Sequence, residues 1–118
     1  MNATMPHAID PAALAGLRDL NPEDPNFVKE LIGLFLDDVP VRIAEIEQAL
    51  ATQDAILLTR AAHTIKGSGS NFGAAGLGHV ALEMEQQGKA ADFAAAAVSL
   101  PSLRSEFALV TEALKQFV

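Results

Sequence analysis

Apolar residues recur at helical spacing along almost the whole chain, and the breaks between these runs are only a few residues long. Such a chain has few ways to bury its apolar faces. Helices joined by short links return side by side, so the pattern predicts an all-α, antiparallel up-down four-helix bundle with a short additional N-terminal helix. Asp10-Pro11 pairs an N-cap residue with proline at the first helical position, predicting a short helix that ends near Asp19. Asn21 to Pro25 is turn-rich, and Asp24-Pro25 repeats the start signal. Phe27, Leu31, Leu34, Phe35, Ile43, Ile46 and Leu50 then mark one long helix. Pro40 falls inside it and predicts a kink rather than a stop, because the apolar pattern resumes in phase. A third helix is expected from Thr52 or Asp54 to Phe72, with Gly73 as a left-handed cap. A fourth runs from Ala75 to Gln87, closed by Gly88. The fifth follows Asp92 to the C-terminus, bent or broken at Pro101. Residues 1–9 read as a disordered tail and residues 10–118 as one domain.

Composition narrows the function. Half of the 118 residues are hydrophobic, enough for one compact core, and Ala and Leu dominate over aromatics, favouring helix over strand. The net charge is −7 with only eight Lys and Arg, so nucleic acid is not an expected partner. The absence of cysteine excludes disulfides and thiolate metal sites. No apolar run reaches the roughly 18–20 residues of a membrane span, and Met1 to His7 lacks the form of a secretory signal. The expectation is a soluble, cytoplasmic monomer that contacts neither membrane nor nucleic acid.

The third helix carries an unusual histidine. With Ile65 at zero on a helical wheel, Leu58, Ala61, Ala62, Gly69 and Phe72 all fall within about 60° and define the core stripe. His63 lies about 160° away, Gly67 about −160°, Ser70 about 140°, and Lys66 on the flank at about 100°. His63 therefore points to solvent, with a cation at i+3 and a glycine at i+4 on the same surface. Gly67 and Gly69 each cost about 1 kcal/mol in a helix interior relative to alanine. Gly69 can repay that by letting a neighbouring helix approach. Gly67 faces outward, where the missing side chain leaves the imidazole open to something large, such as another protein surface. Ile56, about two turns earlier on that face, is an apolar residue such a partner could cover. A neutral imidazole nitrogen is a nucleophile and can accept a phosphoryl group directly. Lys66 can offset part of the added negative charge, but an exposed pair is worth only about 0–1 kcal/mol. The rest of the transfer machinery must come from the partner.

The run from Ala62 to Gly73, AHTIKGSGSNFG, strongly resembles the signature of histidine-containing phosphotransfer domains. The likeness extends through the apolar rhythm from about Phe27 to Phe117. It implies a helical bundle that shuttles phosphoryl groups between aspartates of response-regulator receiver domains in a two-component phosphorelay. His63 matches the phosphoacceptor, Lys66 the motif lysine, and Gly67 the small residue that admits the receiver. The resemblance implies no intrinsic cofactor, Mg²⁺ on the partner receiver domain, and a hybrid histidine kinase as a further partner. Some members place a glutamine on the next helix to orient the histidine ring. The matching position here is Glu85, with Gln86 beside it. The surface expected to set partner choice surrounds His63 and includes Ile56, Arg60, Gly67 and Ser70.

Plainer readings stand beside these. Ser68, Ser70 and Asn71 suit solvation, packing or capping, and Gly73 a helix stop. His79 reads as structural or exposed, His7 as part of the tail, and Glu83, Glu85, Asp37 and Asp38 as solvated faces. An intact histidine kinase is rejected, because the chain has no room for a nucleotide-binding domain, although it could be one domain of a larger kinase. A metal-binding bundle would need inward Glu-x-x-His pairs; Glu83 and Glu85 have no histidine at i+3, and no metal is expected.

Overall fold

The structure, a computed structural model, describes residues 8–117. Among them are five helices and no strand: α1 (Pro11–Leu20), α2 (Phe27–Thr52), α3 (Ala55–Ser70), α4 (Ala75–Lys89) and α5 (Phe93–Lys115). Three helices begin on an aspartate whose carboxylate takes a free backbone N–H of the first turn. Asp10 accepts from Ala12 at 2.9 Å, Asp54 from Leu57 at 3.0 Å and Asp92 from Ala95 at 3.1 Å. α2 starts later than Asp24-Pro25 suggests. Asp24 Oδ1 accepts from Asn26 N at 2.9 Å inside the preceding turn, and the helix opens at Phe27.

α2, α3, α4 and α5 form a closed circuit of packed neighbours, with α1 leaning on α2. Pro40 and Pro101 both lie within unbroken helices. Ile46, Leu58, Ile65, Leu77, Met84 and Leu103 are fully enclosed in the shared core. Each such side chain contributes about 1.5–3 kcal/mol relative to exposure. Leu34 departs from the expected core and is 67 % exposed. By length and composition α5 is apolar enough to cross a bilayer, contrary to the sequence expectation. Here it buries Ala96, Leu100, Leu103, Val110 and Leu114 in the bundle, and its Arg104 pairs with Glu47 of α2.

Two helix ends differ from expectation in an informative way. α3 stops at Ser70, and Phe72 lies in the following turn, yet it is buried with its ring 4.9 Å from that of Phe35. Gly73 is left-handed (φ 64°), and two bonds close the cap: Gly73 N donates to Ser70 O at 3.1 Å and Ala74 N to Gly69 O at 3.0 Å. The backbone of Asp10 lies against this turn and donates to Phe72 O at 3.1 Å. That contact draws Ile9 into the core, so Ile9 departs from the expected tail; residues 1–7 of that expectation lie outside those described. Gly88 is not the stop of α4. The helix continues to Lys89 and the left-handed residue is Ala91 (φ 54°). Gly88 is instead buried at the crossing with α3, where a Cβ would lie 2.8 Å from Thr59 N.

Candidate functional site

α3 turns Leu58, Ala61, Ala62, Ile65 and Gly69 inward and leaves His63 on its outer face, with the side chain 64 % exposed. α4 buries Leu77, Val80, Ala81, Met84 and Gly88, and Glu85 sits at the edge of that stripe facing α3. The contact of Gly88 with Thr59 brings the two helices close one turn away from both residues. Glu85 is 6 % exposed, the only charged residue in the core among those described. A carboxylate taken out of water is costly unless cations and hydrogen bonds compensate it. Three groups surround this one. Lys66 Nζ lies 2.9 Å from Oε1, His63 Nδ1 3.0 Å from Oε2, and Lys89 Nζ 3.5 Å from Oε2.

These contacts determine the charge state of the acid. Lys66 contributes most, and it outweighs the opposing effect of burial; with the His63 contact it holds the Glu85 carboxyl at about 2, below its usual 4.5. An ionised carboxylate only accepts hydrogen bonds, so His63 Nδ1–H is the donor, and in the neutral ring the lone pair then sits on Nε2. Of the two residues weighed for orienting the ring, Glu85 makes the contact. Gln86 is exposed and lines a different depression with Glu83, Gln87 and Asp92. The reading of Glu85 as a solvated side chain is thereby corrected: its place one position beyond the buried Met84 turns it into the α3–α4 seam.

Ile56 and Arg60 are exposed beside the histidine. Together with His63, Glu85, Gly88 and Lys89 they line an open groove of about 490 Å³. Ile56 is 70 % exposed, a large apolar side chain with no cover of its own. A Cβ added at Gly67 would meet nothing within 4 Å, so the space over the next turn is open. Lys66 and Ser70 line a second groove of about 530 Å³ that runs to Ile9 and Pro11. The Ser70 hydroxyl donates back to Gly67 O at 2.7 Å and is occupied within its own helix. His79 is exposed on α4. Among the described residues no group of three or more His, Asp or Glu is arranged to hold a metal. Lys89 is the residue that sequence reasoning missed. Its signal was present in the i, i+4 spacing from Glu85, which places both on one helical face.

Comparison with known proteins bears on the family and the fold. The family model of the Hpt domain matches residues 30–117. The crystal structure of histidine-containing phosphotransfer protein B (HptB) from Pseudomonas aeruginosa PAO1 superposes with a TM-score of 0.85 at 29 % identity, covering 96 % of this chain and 95 % of that one. A rice protein assigned as a histidine-containing phosphotransfer protein superposes with a TM-score of 0.82, covering 93 % of this chain and 79 % of its own; at 22 % identity it bears on the fold alone. A search of curated proteins finds no match.

Proposed function

The chain belongs to the Hpt domain family of phosphorelay proteins, and from that premise we propose that it carries a phosphoryl group on Nε2 of His63 between aspartates of response-regulator receiver domains. The observation that carries this reading is the hydrogen bond from His63 Nδ1 to the buried Glu85 carboxylate, on a side chain otherwise open to solvent. It leaves a lone pair on the outward nitrogen and holds the ring where a partner can reach it.

On this reading each residue of the site has a role that its position supports. Glu85 positions the ring and keeps the proton on Nδ1. Lys66 compensates the incoming negative charge. Gly67 leaves room for the receiver, and Ile56, Arg60 and Ser70 form the surface it covers. The transfer needs a metal to neutralise the phosphoryl oxygens in flight, and Mg²⁺ on the receiver domain supplies it. The protein is thus a carrier without ATP chemistry of its own, acting as a monomer, with a hybrid histidine kinase as a further source of phosphoryl groups.

The test is transfer from a panel of labelled, phosphorylated receiver domains, with Mg²⁺, to this protein and to His63→Gln. The expected product is an acid-labile, base-stable label on the wild-type chain and none on the variant. Label on neither, across a broad panel, would reject the carrier role and leave a docking module.

A further inference from the structure

α3 and α4 meet in an outward seam, which the contacts of His63 and Lys66 with Glu85 bridge midway. A groove opens on each side of the bridge. The one toward Ile56 and Arg60 belongs to the surface described above. The other, of about 530 Å³, begins at Lys66 and Ser70 and ends at Ile9 and Pro11, where the chain enters α1. Ala74, Ala75 and Gly78 make its α4 wall. These small residues give the groove its depth, and a Cβ at Gly78 would meet nothing within 4 Å.

The lining sets the chemistry of an occupant. Both charged groups of the groove are already committed: the Asp10 carboxylate accepts from Ala12 N at 2.9 Å, and Lys66 Nζ is held by Glu85 at 2.9 Å. The Ser70 hydroxyl donates to Gly67 O at 2.7 Å. A charged group entering the groove would give up water for side chains that are already paired, whereas an apolar side chain gains by leaving water. The position of the groove sets which molecule brings that side chain. Ile56 and Ser70 each lie seven residues from His63, about 10 Å along α3 in opposite directions. A protein docking on another covers about 800 Å² per partner, a patch roughly 30 Å across. A receiver seated over His63 therefore spans the bridge and reaches both grooves.

We propose that the groove between Pro11 and Gly78 takes an apolar side chain of the receiver domain, and that this contact helps decide which receivers exchange phosphoryl groups with His63. The proposal rests on the reading of His63 as the phosphoacceptor. Pro11, Ala75 and Gly78 stand away from the imidazole and act on docking alone. A receiver with a bulky apolar residue at the facing position gains buried area, and one with a charge there loses hydration without a partner. Selection thus has an attractive and a repulsive side.

Gly78→Leu and Ala75→Leu fill the groove from its α4 wall. Gly78 has open space at its Cβ and Ala75 is exposed in the first turn, so the helix accommodates leucine at both positions. Phosphoramidate, a small phosphoryl donor, loads His63 without docking; equal labelling of the wild type and both variants is expected, with none on His63→Gln. Transfer from phosphorylated receiver domains with Mg²⁺ is then measured against receiver concentration. For receivers that use the groove, the half-saturating concentration is expected to rise about five- to tenfold with the rate at saturation unchanged, since only docking is weakened. A general disturbance of α4 would lower the small-donor labelling as well. Saturation curves that overlay the wild type for every receiver able to load it overturn the proposal, as does faster transfer in either variant. A wild-type dimer in light scattering that Gly78→Leu dissolves also overturns it and assigns the groove to a second copy of the chain. If phosphoramidate labels the wild type no more than His63→Gln, the phosphoacceptor reading falls and the docking proposal falls with it.

Discussion

Glu85 acts on His63 through one hydrogen bond, and the ways of removing it differ in what they leave behind. In Glu85→Ala the ring loses its acceptor and both tautomers become populated. Glu85→Gln retains a carbonyl oxygen as acceptor and keeps the proton on Nδ1. Nitrogen NMR of the imidazole is expected to show one dominant tautomer in the wild type and Glu85→Gln, and a mixture in Glu85→Ala, with phosphoryl transfer slowed about tenfold or more in the alanine variant. The same carboxyl governs acid stability. Its value falls from 4.5 to about 2 on folding, so the stabilisation is fully present above 4.5 and is lost as pH falls through about 2. The urea midpoint of the wild type is expected to drop across that window, and that of Glu85→Gln to change less. At this scale, His63, Lys66 and Gly67 were legible in the sequence because their phase on one helix is a local property. The burial of Glu85 and its hold on Lys89 were not, since both depend on how closely α3 and α4 approach.

Glycines separate two kinds of information at the scale of the helix. Gly67 and Gly88 both lie inside helices, but a Cβ at Gly67 would meet open space and one at Gly88 would meet the backbone of Thr59. Gly67→Ala is expected to stabilise the protein by about 1 kcal/mol through helix propensity while slowing transfer from receivers by crowding their approach. Gly88→Ala is expected to destabilise by about 1–3 kcal/mol and to pull Glu85 away from His63, weakening the tautomer preference as well. Thermal midpoints measured beside transfer rates check the pair. A Gly67→Ala variant with wild-type rates would remove the clearance argument. The aspartate caps were readable because each is a bond between a side chain and its own first turn. Gly88 was misread as a stop because glycine signals a left-handed end or a close crossing equally well, and only the neighbouring helix distinguishes them.

The molecule as a whole has one core shared by all five helices, with Ile9 and Leu14 joined to it from the N-terminal side. A core of this kind predicts a single cooperative urea transition, with helix content and the packing of the Phe35, Phe72 and Phe107 rings lost at the same midpoint. Separate midpoints would mean that α1 or α5 detaches first. The bundle was legible because its rule is periodicity plus short links. The embedding of Ile9 was not, since it follows from a turn more than sixty residues away in sequence, where Asp10 donates to Phe72 O. A last consequence concerns traffic. His63 stands on an outer helix face with one free ring nitrogen, beside the groove lined by Ile56 and Arg60. On the reading proposed above, donor and acceptor must use this same berth in turn. The slower of the two departures then sets the ceiling on throughput, and an abundant idle receiver delays every other by queueing at the histidine.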